Sequence, residues 1–308
     1  MSENDAILVI GGSGFIGQHL LKKLQCKVFV ISRSRPLYTP ENAEVFRTNI
    51  DDITVLNKVL PYCKWVFHLA SDSTPGTTAM KPGLELELNL GPSLVFFEAL
   101  QKYPEVNIIY LSSGGAVYGN PLNSPVKESE PLTPSSYYGA CKVATEAFIS
   151  ALSEQSPRTA IILRPSNFYG PGQFFKQGFG VIPTIFEYQR CGQILKIWGD
   201  GENARDYLYI DDFIELCLLI IATDYSTGSY VYNVGTGVGY TLNQLCDEIE
   251  HITNIKIHRE YLESRSVDVR NIVLDSKNVQ FDFNWRAKTN LSLGLNNYWH
   301  WNKNKERH

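Results

Sequence analysis

Several absences narrow the possibilities before any motif is read. No run of apolar residues is long enough to cross a bilayer. The opening Met1-Ser2-Glu3-Asn4-Asp5 is acidic and the apolar stretch after it is short, so nothing resembles a signal peptide. Positive charge is not in excess: the formal net charge is −4 with both signs scattered, which leaves no basic stripe for nucleic acid. The six cysteines, at 26, 63, 141, 191, 217 and 246, form no Cys-x-x-Cys. Buried thiols in a reducing compartment are therefore expected, rather than disulfides or zinc. His251 and His258 have no third ligand in reach of the pattern, and no metal site is expected. There is no internal repeat, low-complexity tract or flexible linker. These exclusions leave a cytoplasmic, soluble enzyme with neither membrane nor nucleic-acid partners as the expectation.

What is present begins at once. Ala6-Ile7-Leu8-Val9-Ile10 reads as a short buried strand, and Gly11-Gly12-Ser13-Gly14-Phe15-Ile16-Gly17 follows it directly into a helical pattern. Gly11, Gly14 and Gly17 suit a tight turn, close approach of backbone to a pyrophosphate, and close packing of helix on strand. This points to a dinucleotide site. The second strand, Lys27 to Ile31, ends in Ser32-Arg33-Ser34-Arg35 and has no Asp or Glu to accept from an adenosine 2′-hydroxyl. Arginine at that place accommodates a 2′-phosphate. The expected cofactor is thus NADP(H), read by Ser32 and Arg33, with NAD(H) as the alternative.

Strand-like runs at 6–10, 27–31, 44–47, 65–69, 107–112 and 159–164 alternate with helical patterns at 15–24, 52–60, 82–102 and 137–154. That rhythm predicts an α/β fold with a doubly wound parallel sheet. From about Tyr169 it gives way to glycine-marked loops, so the expected organisation is a dinucleotide-binding domain over 1–168, with the chain returning to it near 208–235, and a smaller C-terminal α/β substrate lobe over 169–308.

Within the helix expected at 137–154, Tyr138 and Lys142 lie four apart and share a face. An ammonium beside a phenol favours the phenolate and pulls the tyrosine pKa down from about 10. Such a phenol suits proton exchange with a hydroxyl or a ketone, which is carbonyl/alcohol redox chemistry.

The ordered set of motifs resembles the extended short-chain dehydrogenase/reductases that act on nucleotide-diphosphate sugars, often described as NAD-dependent epimerase/dehydratases. It comprises the glycine turn, Phe67-His68-Leu69-Ala70-Ser71, Asn89, Leu111 through Gly119, the Tyr138/Lys142 pair, Leu163 through Gln173, Trp198-Gly199-Asp200-Gly201, Arg205-Asp206-Tyr207, Tyr209-Ile210-Asp211-Asp212 and Arg265-Ser266-Val267-Asp268. The resemblance implies a Rossmann-type sheet and assigns roles residue by residue. Phe15 and Ile16 would offer amides to the pyrophosphate. Asn49 and Ile50 would lie near adenine, and Leu69, Ala70 and Ser71 would line the cofactor path. Asn89 would support the active site, while Lys142 would also bond the nicotinamide ribose. For the substrate, a nucleotide-diphosphate sugar, Asn167 would touch a phosphate, Arg205 and Arg265 would hold the diphosphate, and Asp268 would contact the nucleotide ribose. A homodimer through the helices at 82–102 and 137–154 is the family expectation.

One departure concerns the third catalytic group. Where many relatives of this kind carry Ser or Thr, this chain has Gly114, and the hydroxyl role falls to the preceding Ser113. Dehydratases of the family place an Asp-Glu pair where this chain has Gly115 and Ala116, and the epimerase/reductases that make GDP-fucose use a cysteine absent between Tyr110 and Gly119. Chemistry is thereby confined to one hydroxyl carbon, most simply C4 of a hexose. The basic end of the second strand favours a 4-ketoreductase over a UDP-hexose 4-epimerase with tightly bound NAD. The substrate would be a dTDP-4-keto-6-deoxyhexose, reduced to a sugar such as dTDP-fucose for O-antigen and other lipopolysaccharide synthesis. A non-catalytic dinucleotide sensor is the remote third reading, since fold does not fix function.

Overall fold

The computed structural model describes residues 5–74, 76–264 and 271–305. The chain divides into two compact units. One holds residues up to 117, 132–164 and 214–232; the other holds 118–131, 165–213 and the residues from 233 onward.

The first unit is built on strands β1 (Ala6–Ile10), β2 (Val28–Ile31), β3 (Ala43–Phe46), β4 (Cys63–His68), β5 (Asn107–Leu111) and β6 (Thr159–Pro165). All of β1, β2 and β6 is buried, the mark of strands covered on both faces. Neighbours from β6 through β5, β4, β1 and β2 to β3 run parallel. A later strand, Gly228–Val234, joins beside β6 to give a seven-stranded sheet. From β1 the chain builds outward through β2 to β3, then restarts on the other side with β4. The order therefore reverses between β1 and β4, where ligands of such sheets bind. Fold class and sheet are those expected, and the strand ends differ by no more than two residues.

Helices α1 (Phe15–Leu21), α2 (Ile53–Val59), α3 (Pro82–Glu85), α4 (Gly91–Gln101), α5 (Gly114–Val117) and α6 (Tyr137–Glu154) accompany this sheet. Leu8, Ile10, Val66, Ile108 and Ile162 of the strands are buried with Leu56, Phe96, Leu100, Ile149 and Leu152 of the helices. Each such side chain contributes roughly 1.5–3 kcal/mol on burial. The helix expected at 137–154 has those bounds. Its start is fixed by Ser136, whose hydroxyl accepts from the Gly139 amide at 3.1 Å.

The pattern at 82–102, in contrast, is not one α-helix. Between α3 and α4 the chain makes a π-helical turn over Leu86–Leu90. The Gly91 amide bonds the Leu86 carbonyl, five residues back, and Pro92 has no amide to continue an α-helical ladder. A Cβ on Gly91 would lie 2.8 Å from the Leu86 oxygen, so the wide turn needs glycine there. Such turns concentrate at functional sites, and Asn89 lies inside this one.

In the second unit, β9 (Ala204–Tyr209) pairs with three short strands: β7 (Asn167–Tyr169), β11 (Gly239–Thr241) and β13 (Asn271–Ile272). Here β8 is Leu195–Trp198 and β12 is Arg259–Leu262, which form a separate parallel pair, and β10 is the strand Gly228–Val234 already placed. Ile185, Phe186, Ile197, Tyr209, Leu245, Leu295 and Tyr298 form its core. None of the six cysteines forms a disulfide. Four are buried as expected, but Cys26 is half-buried and Cys191 is exposed, because the helix that ends at Arg190 leaves its capping residue at the surface. No helix among the described residues is long and apolar enough to cross a membrane.

Candidate active site

The reversal of strand order brings the turn after β1 against the segment after β4. Gly11 has φ +89°, and a Cβ on it would meet the Ala70 amide nitrogen at 2.8 Å; one on Gly17 would stand 2.5 Å from the Gly11 oxygen. Side chains here would push the two segments and α1 apart. Gly14 precedes α1 as its capping residue and makes no side-chain cap to the amide end at Phe15 and Ile16. This uncapped glycine cradle fits a pyrophosphate. Leu69 is tied to β1 through its amide and the Ile10 oxygen, at 3.0 Å, which carries Ala70 and Ser71 alongside the turn.

At the end of β2, Ser32 is buried, and its hydroxyl donates to the Ser34 oxygen at 2.8 Å. The Arg33 guanidinium is exposed and pairs with Asp72 at 2.5 Å. Asn49 accepts from the Asp52 amide at 3.3 Å, and Ile50 packs half-buried on the core, beyond the end of β3.

Tyr138 lies on the first turn of α6 with Lys142 one turn on. Lys142 is buried; its Nζ donates to the Leu111 carbonyl at 2.9 Å and stands 4.9 Å from the ring centre of Tyr110 and 5.7 Å from that of Tyr138. Burial lowers its pKa to about 8. The Tyr138 phenol is raised to about 12, chiefly by burial, against the opposing pull of hydrogen bonds with Ser113 and Ser71. The expectation of a phenol drawn down toward neutrality is thus not met in the protein alone. Desolvation penalises both charged forms, and the ammonium is engaged by a carbonyl and a second ring. Ser113 is where the reading of Gly114 put the third hydroxyl, within hydrogen-bonding reach of Tyr138. One turn past Lys142, Glu146 is buried and held by Arg164 at 2.7 Å, with Ser112 donating to it as well, which fastens α6 to the ends of β5 and β6.

Asn89 is the hub of a second network. Its Oδ1 accepts from the Asp72 amide at 2.9 Å, and its Nδ2 donates to Ser73 Oγ at 2.9 Å and Glu85 Oε2 at 2.8 Å. His68 Nε2 stands 3.1 Å from Ser93 Oγ, and burial lowers the pKa of this imidazole to about 3. Glu85 and Asp72 were not singled out from sequence. Glu85 precedes Asn89 by four residues, a helical spacing that was visible; the partner of Asp72 lies 39 residues away in the chain and carried no local signal.

In the second unit, Asn167 on β7 donates from Nδ2 to the Asp206 carbonyl at 3.1 Å, and Arg205 on β9 donates to the Ala204 oxygen at 2.9 Å. The buried Asp206 carboxylate accepts from the Thr236 amide, the Thr236 hydroxyl and the Gly237 amide at 3.0, 2.7 and 3.1 Å, so β9 is locked beside Arg205. Burial raises the pKa of Asp206. Arg265 and Asp268 lie outside the described residues. Among the described residues no group of His, Cys, Asp and Glu side chains is arranged to hold a metal ion.

Comparison with known proteins places the chain and its fold. The sequence profile of the NAD dependent epimerase/dehydratase family matches residues 7–235. The dTDP-4-dehydro-6-deoxyglucose reductase of Escherichia coli is 29% identical over 96% of both chains. Among solved structures, UDP-glucose 4-epimerase of Thermotoga maritima with UDP-glucose superposes with a TM-score of 0.90 at 32% identity, covering 98% of this chain and 99% of that one. The UDP-glucose 4-epimerase of Thermus thermophilus in complex with NAD gives 0.87 at 27% identity, covering 96% and 99%.

Proposed function

The chain belongs to the NAD dependent epimerase/dehydratase family, and we propose that it reduces the C4 ketone of a nucleotide-activated 4-keto-6-deoxyhexose. The observation that carries this reading is the end of β2, where Arg33 stands and no Asp or Glu is available to accept from an adenosine 2′-hydroxyl, which favours NADPH and net reduction. Reduction begins with a proton donor at the ketone oxygen, whereas oxidation of an alcohol begins with a base. The Tyr138 phenol, in hydrogen-bonding reach of Ser113 and with Lys142 Nζ 5.7 Å from its ring centre, is placed for the first task.

A reduced nicotinamide held by the glycine turn and Lys142 would supply the hydride for C4. Tyr138 donates its proton to O4 as the carbonyl becomes an alkoxide. Ser113, hydrogen-bonded with Tyr138, orients the phenol and the ketone oxygen. Lys142 places positive charge near the phenol as it ionises, which lowers the cost of the developing phenolate. Gly115 and Ala116 offer no acid or base beside this centre, so the reaction stays at one carbon. For the substrate's diphosphate, Arg205 and Arg265 provide guanidinium groups suited to phosphate oxygens, with Asn167 and Asp268 as further contacts. NADPH is the donor favoured by Arg33, which a 2′-phosphate would draw from Asp72.

A second reading, UDP-hexose 4-epimerisation with retained NAD, is supported by the epimerases among the similar structures. On either reading the enzyme works as a homodimer in the cytoplasm. Exposed Leu86, Leu88, Tyr137 and Phe148 on the 82–102 segment and α6 support the paired-helix interface. The product would be a dTDP-sugar such as dTDP-fucose for surface polysaccharide. Incubation of the purified enzyme with dTDP-4-keto-6-deoxyglucose and NADPH, followed by NMR of the sugar, tests the proposal. A 4-hydroxy-6-deoxy product supports it, and an unchanged keto sugar beside rapid UDP-glucose/UDP-galactose exchange replaces it with epimerisation.

A further inference from the structure

Glu85 ends α3 with its side chain buried, 4% exposed. Oε2 accepts from Ser73 Oγ at 2.9 Å and from Asn89 Nδ2 at 2.8 Å, and Oε1 accepts from Thr78 Oγ1. All three donors are neutral, so the hydrogen bonds satisfy the carboxylate without cancelling its charge. It lines a small cavity of about 10 Å³ together with Tyr138, Lys142, Cys141, Asn89 and Ser71. That is space for about one water molecule.

We infer that Glu85 is a positioning residue of the active site: it fixes Asn89 and the Ser73/Thr78 segment, and its buried charge opposes proton loss from the Tyr138–Lys142 pair. This inference rests on the ketone-reduction reading and deepens it, because a pair that keeps its protons is set for donation.

Other ionisable groups face the same pair. His68, from β4, is held neutral, and Tyr110, from β5, is held protonated by burial. On α6, Glu146 is neutralised by Arg164, and burial keeps Cys141 as a thiol. Asp72, beyond β4, is paired with Arg33. For Tyr138 the first cause of the upward shift is burial, and Glu85 and Cys141 add to it; for Lys142 burial lowers the pKa, and Cys141, Glu146 and Glu85 act against burial. Loss of either proton makes the pair more negative, so a fixed anion nearby opposes both steps, and the two groups titrate as one coupled unit.

The test is Glu85→Gln, which keeps the shape and removes the charge. Rates of keto-sugar reduction by NADPH are measured from neutral to alkaline pH in both enzymes. The expected result is an alkaline limb of kcat/KM that falls about one pH unit earlier in the variant, the scale of a neighbouring charge. An unmoved limb, whatever happens to kcat, overturns the inference. Should Glu85→Gln not fold, Glu85→Asn removes the charge with a shorter amide whose oxygen can still accept from Asn89 Nδ2, which also keeps Ser73 Oγ as a partner. The same shift is expected and its absence is equally decisive. If the wild-type enzyme instead interconverts UDP-glucose and UDP-galactose, the reductase reading fails on its own. The role of Glu85 is then read from the acid limb of epimerisation, which should move to lower pH in the variant; a fixed limb overturns it.

Discussion

Arg33 and Asp72 form an ion pair, Nη2 to Oδ1 at 2.5 Å, that joins the end of β2 to the segment after β4. Because β1 lies between those two strands, the pair spans the turn that follows β1. On the proposed reading, Asp72 would compete with a 2′-phosphate for the Arg33 guanidinium. Arg33→Ala should weaken NADPH by about 1.5–3 kcal/mol, the scale of a hydrogen bond to a charged group, and leave NADH nearly unchanged. Asp72→Asn should tighten NADPH several-fold, by removing the competitor, with little effect on NADH. Equal changes for both cofactors in titrations of the two variants would remove Arg33 from the adenosine pocket.

Tyr138→Phe should retain dinucleotide binding and lower kcat by about 10² to 10⁴, the range for a lost general acid. Steady-state rates and a fluorescence titration of cofactor check the two halves of this statement. Turnover within a few-fold of wild type contradicts it.

His68 gives the native protein a specific acid sensitivity. Its pKa is lowered from the ordinary value to about 3 by burial, so between about 6.5 and 3 the unfolded chain binds a proton that the native chain does not. Stability contributed by this group is complete above that window and is lost as pH falls through it, by at most about 1.4 kcal/mol per pH unit. Denaturant unfolding at pH 7.5 and 5.0 should show a smaller loss for His68→Gln than for wild type. Parallel losses would show that other groups set the acid limb.

Gly91→Ala tests the wide turn that carries Asn89. The added methyl would meet the Leu86 oxygen at 2.8 Å. A stability loss of about 1–3 kcal/mol is expected from such overpacking, with a fall in kcat as Asn89 is displaced. A variant with wild-type melting temperature and turnover would show that the turn tolerates a side chain.

The parts of this protein that were legible in sequence depend on local pattern. The run Ala6 to Ile10 followed by three spaced glycines specified β1, its turn and α1, and Ser136 with the apolar spacing after it specified α6. The π turn was hidden because its apolar residues continue the helical rhythm on both sides, and only Gly91-Pro92 marks the break. The Tyr138/Lys142 spacing placed the two side chains one turn apart on α6 but gave the wrong direction for the phenol, since spacing reports a neighbouring charge and not the desolvation acting on both groups. The pairing of Asp72 with Arg33, across 39 residues of chain, required the fold itself.

Transfer of the label from C4-deuterated NADPH tests the central claim most directly. A 4-ketoreductase consumes one reduced cofactor per ketone and places that deuterium on C4 of the sugar, whereas an epimerase returns the substrate's own hydride. With a dTDP-4-keto-6-deoxyhexose the account predicts stoichiometric NADPH oxidation and one deuterium at C4, seen by NMR as loss of the H4 signal. Rapid equilibration of UDP-glucose with UDP-galactose without added cofactor, and no reduction of the keto sugar, would contradict it.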